Sequence, residues 1–174
     1  MKKWIFSLFV LGLIIFSVVY IYPKNINRSI NGVEYKLGSN NLKPVQIKIK
    51  GKLQRSLFGN KTFVGKIEIK GASYPNQDQN RQLTIEFQEN GAGYINYAYY
   101  KIGSNETHSY GVLFINKDLG NISIQEFKPD INGGKSWSGD NGLIISGPAS
   151  SKKKALEIAN ELMKNYFQDG YKLK

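Results

Sequence analysis

From Trp4 to Tyr22 the chain runs nineteen residues without a charge. As a helix this stretch would be about 28 Å long, close to the roughly 30 Å hydrocarbon core of a bilayer. Thirteen of the nineteen are Leu, Ile, Val or Phe, each favouring insertion by roughly 0.3–0.6 kcal/mol near the bilayer centre. Trp4 lies at one end, and Tyr20 and Tyr22 at the other, where amphipathic rings prefer the interface. A cleaved signal peptide would have a shorter apolar core and small residues after it. Here Val18-Val19-Tyr20-Ile21-Tyr22-Pro23 follows, so residues 4–22 read as an uncleaved signal-anchor helix. Lys2 and Lys3 place residues 1–3 in the cytoplasm. Lys24 and Arg28 oppose that bias, but long following domains cross largely regardless of charge. The expectation is a single-pass membrane protein with its C-terminal domain outside the cytoplasm.

The remaining residues are enough for one domain that folds on its own core. There is no Cys, which excludes disulfides, thiolate metal sites, a Cys nucleophile and a Cys-linked lipid anchor. The formal net charge is +11, carried almost wholly by Lys. Anionic head groups and envelope polymers attract such a surface. Nucleic acid is the other partner that basic charge suggests. It is set aside because the anchor exports the domain and Arg, the usual reader of phosphate and guanine, is scarce.

Residues 23–32 are polar and turn-rich and read as a juxtamembrane linker to a domain at 33–174. A short strand follows at 33–37. The clearest strand is 45–53, where Val45, Ile47, Ile49, Gly51 and Leu53 alternate with Gln46, Lys48, Lys50 and Lys52. Strict alternation makes one face buried and one wet. The partner is 63–70; with Ile49 facing Ile67, Gly51 faces Gly65 and Lys48 meets Glu68. Two facing glycines leave a gap on the apolar face, to be filled by a bulky ring from elsewhere in the chain or taken up by a sharp bend of the sheet.

Further strands are expected near 83–88, 94–102, 110–117, 121–128 and 143–146, with Phe127 out of phase as at a bulge. Residues 103–109 read as a polar loop, and 129–142 as irregular. Ala155, Ala159, Leu162, Met163 and Tyr166 share one face of a helix over 150–167. The fold class is mainly β: an N-terminal transmembrane helix, then an antiparallel β-meander of seven to eight strands and one C-terminal helix. The meander forms a curled sheet or partly closed barrel.

No catalytic constellation stands out, and the chain is read as a non-enzyme. His108 is the sole histidine, with no nucleophile motif to serve. Asp78, Glu86, Glu89, Glu106, Asp118, Glu126, Asp130 and Asp140 show no motif spacing. The 130–142 loop lacks the order of a calcium loop. No metal or cofactor is expected.

Two binding readings remain. The first is an envelope-tethered module whose basic residues engage anionic polymer, lipid or a protein partner. Lys48, Lys50, Lys52, Lys66 and Lys70 share the outer face of the first hairpin. Lys152, Lys153 and Lys154 open the C-terminal helix, where free N–H groups also favour anions. The second is a calycin-like carrier of a small hydrophobic ligand, with Tyr94, Tyr97, Tyr99, Tyr100 and Tyr110 lining a cavity and Trp137 near its mouth.

Overall fold

The period-two alternation of the central sequence becomes a closed antiparallel barrel of eight strands in the computed structural model. Residues 2–56, 61–72, 82–101, 103–129, 134–167 and 170–174 are described; the side chains of 2–7, 14, 98–101 and 104–106 are not. The order is helix α1 (Lys2–Ile21), β1 (Lys24–Lys36), β2 (Leu42–Arg55), β3 (Lys61–Lys70), β4 (Leu83–Phe87), β5 (Gly93–Lys101) and β6 (Ser104–Ile115). Then come β7 (Ile122–Glu126), β8 (Lys128–Pro129), β9 (Lys135–Ser136), β10 (Leu143–Gly147) and helix α2 (Lys152–Leu162). Around the barrel the strands run β1-β10-β7-β6-β5-β4-β3-β2, so β1 to β7 each neighbour the next in sequence, β10 follows β7, and β10 closes onto β1. The small β8–β9 pair is inserted between β7 and β10.

The β2–β3 register pairs Ile49 with Ile67, Gly51 with Gly65 and Lys48 with Glu68. The ring over the two glycines is that of Phe63 from the same hairpin. A Cβ on Gly51 would meet its edge at 3.0 Å, and one on Gly65 at 2.7 Å.

Several local readings are corrected. Residues 24–32 are not a linker but the first part of β1. Asn25, Asn27, Ser29 and Asn31 form its wet face, whereas Ile26 and Ile30 are buried. The polar stretch 104–109 is strand, not loop. Within 129–142, a fragment of ladder joins Pro129 to Lys135. The irregularity lies not at Phe127 but between Ile95 and Asn96, where β5 and β6 shift register. The C-terminal helix ends at Leu162 rather than 167.

Two apolar clusters hold the fold. One fills the lumen, with Ile47, Ile49, Phe63, Ile85, Leu113 and Ile124 among its members. The other lies outside the barrel wall, where Val33, Tyr35, Val112, Phe114 and Ile144 meet Ala155, Ala159 and Met163 of α2. This explains why every residue of β7 is buried: one face looks into the lumen and the other is covered by α2. Ser151 caps α2 by accepting from the Lys154 N–H at 3.3 Å. The Asn160 side chain ties down the C-terminus through both backbone groups of Leu173.

Among the described residues no helix is long and apolar enough to cross a membrane. On α1, the described large side chains are exposed, including Leu8, Phe9, Leu11, Phe16 and Val19.

Candidate functional site

Pairing of β1, β2 and β3 assembles one polar face from three consecutive strands. On β2, Lys48, Lys50 and Lys52 point outward because Ile47, Ile49 and Leu53 point in. Successive members of such a row stand about 6.6–6.8 Å apart. Lys50 lies directly opposite Lys66, Gln46 opposite Lys70, and Lys48 opposite Glu68. On the other flank Asn25, Asn27 and Ser29 pair with Lys52, Lys50 and Lys48. A groove of about 490 Å³ runs between the rows, bordered by Asn27, Ser29, Lys48, Lys50, Lys66 and Glu68. The face thus brings ammonium groups beside amide and hydroxyl groups, a mixture that suits an anionic and hydroxylated ligand.

Like charges placed directly opposite on adjacent strands are destabilising, by a fraction of a kcal/mol up to about 1 kcal/mol. Lys50 and Lys66 are such a pair. Nothing in the packing of the barrel requires it, since both side chains are exposed.

The other basic residues named from the sequence are not on this face. Lys152, Lys153 and Lys154 ride on α2, which packs over β10, β7 and β1. Lys152 donates to the Ser39 carbonyl at 2.8 Å, and Lys154 lies 3.3 Å from Glu157.

The aromatic set is also divided. Tyr97 and Tyr110 belong to the lumen cluster, and burial pushes both phenols up. Tyr94 is exposed and pairs with Val112. Trp137 is outside the barrel, where Nε1 donates to the Leu143 carbonyl at 2.9 Å and the indole stacks on Phe167 at 6.2 Å. The side chains of Tyr99 and Tyr100 lie outside the described residues, as do residues 130–133 of the loop compared with a calcium site.

No family model, curated protein or solved structure matches this chain.

Two further constellations escape sequence reading. At the end of the barrel far from α1, Glu34 and Glu126 are both buried. Lys128 donates to Glu126 Oε1 at 2.9 Å, while Oε2 has no hydrogen-bond partner among the described residues. Burial holds the Glu126 carboxyl above its usual range, against Lys128, and Glu34 adds to the effect. Glu34 shares the parity of Ile26 and Ile30 along β1, the one signal that could have placed it inside. His108 sits on β6 opposite Tyr97, with Nδ1 2.6 Å from Lys135 Nζ. Burial and the nearby Lys135 charge lower its pKa. Among the described residues no group of three or more His, Cys, Asp or Glu could hold a metal ion.

The second constellation is at the α1 end. Arg55 donates to the Lys117 carbonyl at 3.4 Å. Burial, with Arg55 and Lys117 close by, holds the Lys61 ammonium below its usual range.

Proposed function

We propose that this protein is a membrane-tethered binding module whose outer β1–β3 face engages an extended anionic polymer. In this reading α1 is the anchor, its N-terminus is cytoplasmic and the barrel is extracytoplasmic. The chain acts by binding rather than catalysis. Support for the anchor comes from the uncharged run Trp4–Tyr22 in the sequence and from the described apolar side chains of α1, which stay uncovered by the barrel.

One observation carries the choice of partner: Lys50 faces Lys66 across the ladder. An anion bridging the two ammonium groups removes their repulsion and adds charge-assisted hydrogen bonds. The Lys48-Lys50-Lys52 row lets a polyanion continue along the strand, with the amides of β1 beside it. Such contacts weaken with salt, because exposed charges are screened within about 8–10 Å at physiological ionic strength.

The test is co-sedimentation of the full chain, in detergent micelles, with a bead-bound polyphosphate or polycarboxylate. Retention should fall as salt rises and be lost in the Lys48→Glu, Lys50→Glu, Lys66→Glu triple variant. Undiminished retention by a folded triple variant would refute the assignment.

The alternative is a carrier of a small hydrophobic ligand, and the closed eight-strand meander is compatible with it. An eight-strand barrel is just wide enough either to be filled by side chains or to hold one small ligand. Here a contiguous apolar cluster of buried side chains spans the lumen, which favours the outer surface.

A further inference from the structure

The barrel has a lateral slot at its α1 end. β1 pairs with β10 only over Val33–Lys36. From Lys24 to Ile30 its edge away from β2 carries no ladder among the described residues. The turn between β6 and β7 comes up to this edge and leaves a slot of about 550 Å³. Ile26, Leu53 and Leu119 form its apolar floor, and all three are buried in the lumen cluster. Lys24, Arg28 and Lys117 stand exposed on its lining, with Asp118 the one acid there.

The turn carries Leu119 into the lumen cluster, beneath the slot. This residue holds φ at +49°, a left-handed conformation that branched and bulky residues rarely adopt. The turn is kept by the Leu119 N–H donating to the Asn116 carbonyl at 3.3 Å. The Asn116 side chain also accepts from the Asn121 N–H at 3.1 Å. The result is an apolar floor beneath a cationic rim, an amphipathic combination that a fully hydrated anion does not need.

Position narrows the ligand further. Only Tyr22 and Pro23 separate α1 from β1. At no more than about 3.6 Å per residue, Lys24 stays within roughly 11 Å of the end of α1. Arg55 and Lys61 add positive charge around Lys117, on the same side of the barrel.

We propose that this slot receives the phosphate head group of an anionic phospholipid from the bilayer that holds α1. Lys24, Arg28 and Lys117 engage the phosphate, and the glyceride end rests on Ile26, Leu53 and Leu119. The inference rests on α1 being membrane-embedded; Asn27 and Arg28 line both this slot and the neighbouring groove of the β1–β3 face, whereas Lys24 and Lys117 line the slot alone. It fixes an orientation, with the α1 end of the barrel against the head groups and the Glu34–Glu126 end away from them.

The experiment uses the full chain in vesicles of phosphatidylcholine, with or without one quarter phosphatidylglycerol. Lysines are acetylated briefly and located by mass spectrometry, with Lys153 as the exposed reference. Lys24 and Lys117 should react severalfold more slowly in the anionic vesicles, with Lys153 unchanged. Arg28→Gln should restore the Lys117 reaction. Equal reactivity in both vesicles, or protection that survives Arg28→Gln, overturns the inference. So does equal protection by millimolar inorganic phosphate in neutral vesicles, which would make free phosphate the ligand. If the chain fails to float with either vesicle, the anchor itself is refuted, and this site falls with it.

Discussion

Gly51 stands directly opposite Gly65 on neighbouring strands, and the ring of Phe63 lies over the space their missing side chains leave. The sheet gives up two side chains there so that one aromatic ring can occupy the lumen. A Cβ on Gly65 would meet the Lys50 carbonyl oxygen, and Gly51 Cα at 2.6 Å. Both are backbone atoms that cannot turn aside. Gly65→Ala should therefore lower stability by about 1–3 kcal/mol through overpacking. Phe63→Ala should cost more, about 3–5 kcal/mol, because it opens a cavity in the lumen. Denaturant unfolding of the full chain in detergent checks both, and a neutral Gly65→Ala would contradict the close approach.

The facing pair Lys50 and Lys66 predicts a trade between stability and binding. Lys66→Glu replaces a repulsive cross-strand pair by an attractive one. Stability should rise by about 0.2–1 kcal/mol at low salt, with the gain shrinking as salt is added. The same change should weaken retention on a polyanion. A variant that lost stability, or gained affinity, would show that the two side chains do not oppose one another.

Glu126 sets a pH dependence at the far end of the barrel. Its carboxyl is held above its usual range, first by burial. The folded state therefore keeps a proton that the unfolded chain releases as pH rises past the ordinary carboxylate range. Its contribution to stability is full below that range and is lost as pH rises toward the folded-state value. Glu126→Gln removes the titration and still offers Lys128 an acceptor. The variant should unfold with a flatter pH profile from the ordinary carboxylate range upward and gain relative stability at the upper end. An unchanged profile would mean that Glu126 ionises freely in the fold.

Trp137 is expected to act as a strut outside the barrel. Trp137→Phe loses the bond to the Leu143 carbonyl and should cost about 0.5–1.5 kcal/mol. In a Trp4→Phe background the remaining indole emission should not respond to lipid or polyanion. A saturable shift on adding lipid would instead favour the carrier reading.

Much of the fold is legible in the residues because strand periodicity is local. Val45, Ile47 and Ile49 declare an inner face without reference to anything distant. The β2–β3 register follows from matching two such faces about their facing glycines. The Lys row comes with that register, since period two leaves each lysine no other side. The polar character of β1 hides it: four small polar residues at period two look like a turn until β2 lies alongside and makes them a wet face.

What the sequence by itself determined is therefore the β-rich class, the inner and outer faces of β2 and β3, the apolar face of α2, and the apolar character of α1. Tertiary structure alone decided the closure of the barrel, which depends on β10 reaching β1 more than a hundred residues away in the chain. It also decided the meeting of Glu34 with Glu126 and the slot between β1 and the β6–β7 turn. The reason is physical: alternation is set by backbone geometry over two residues, whereas closure and its gaps are set by strand tilt and stagger summed around the whole barrel.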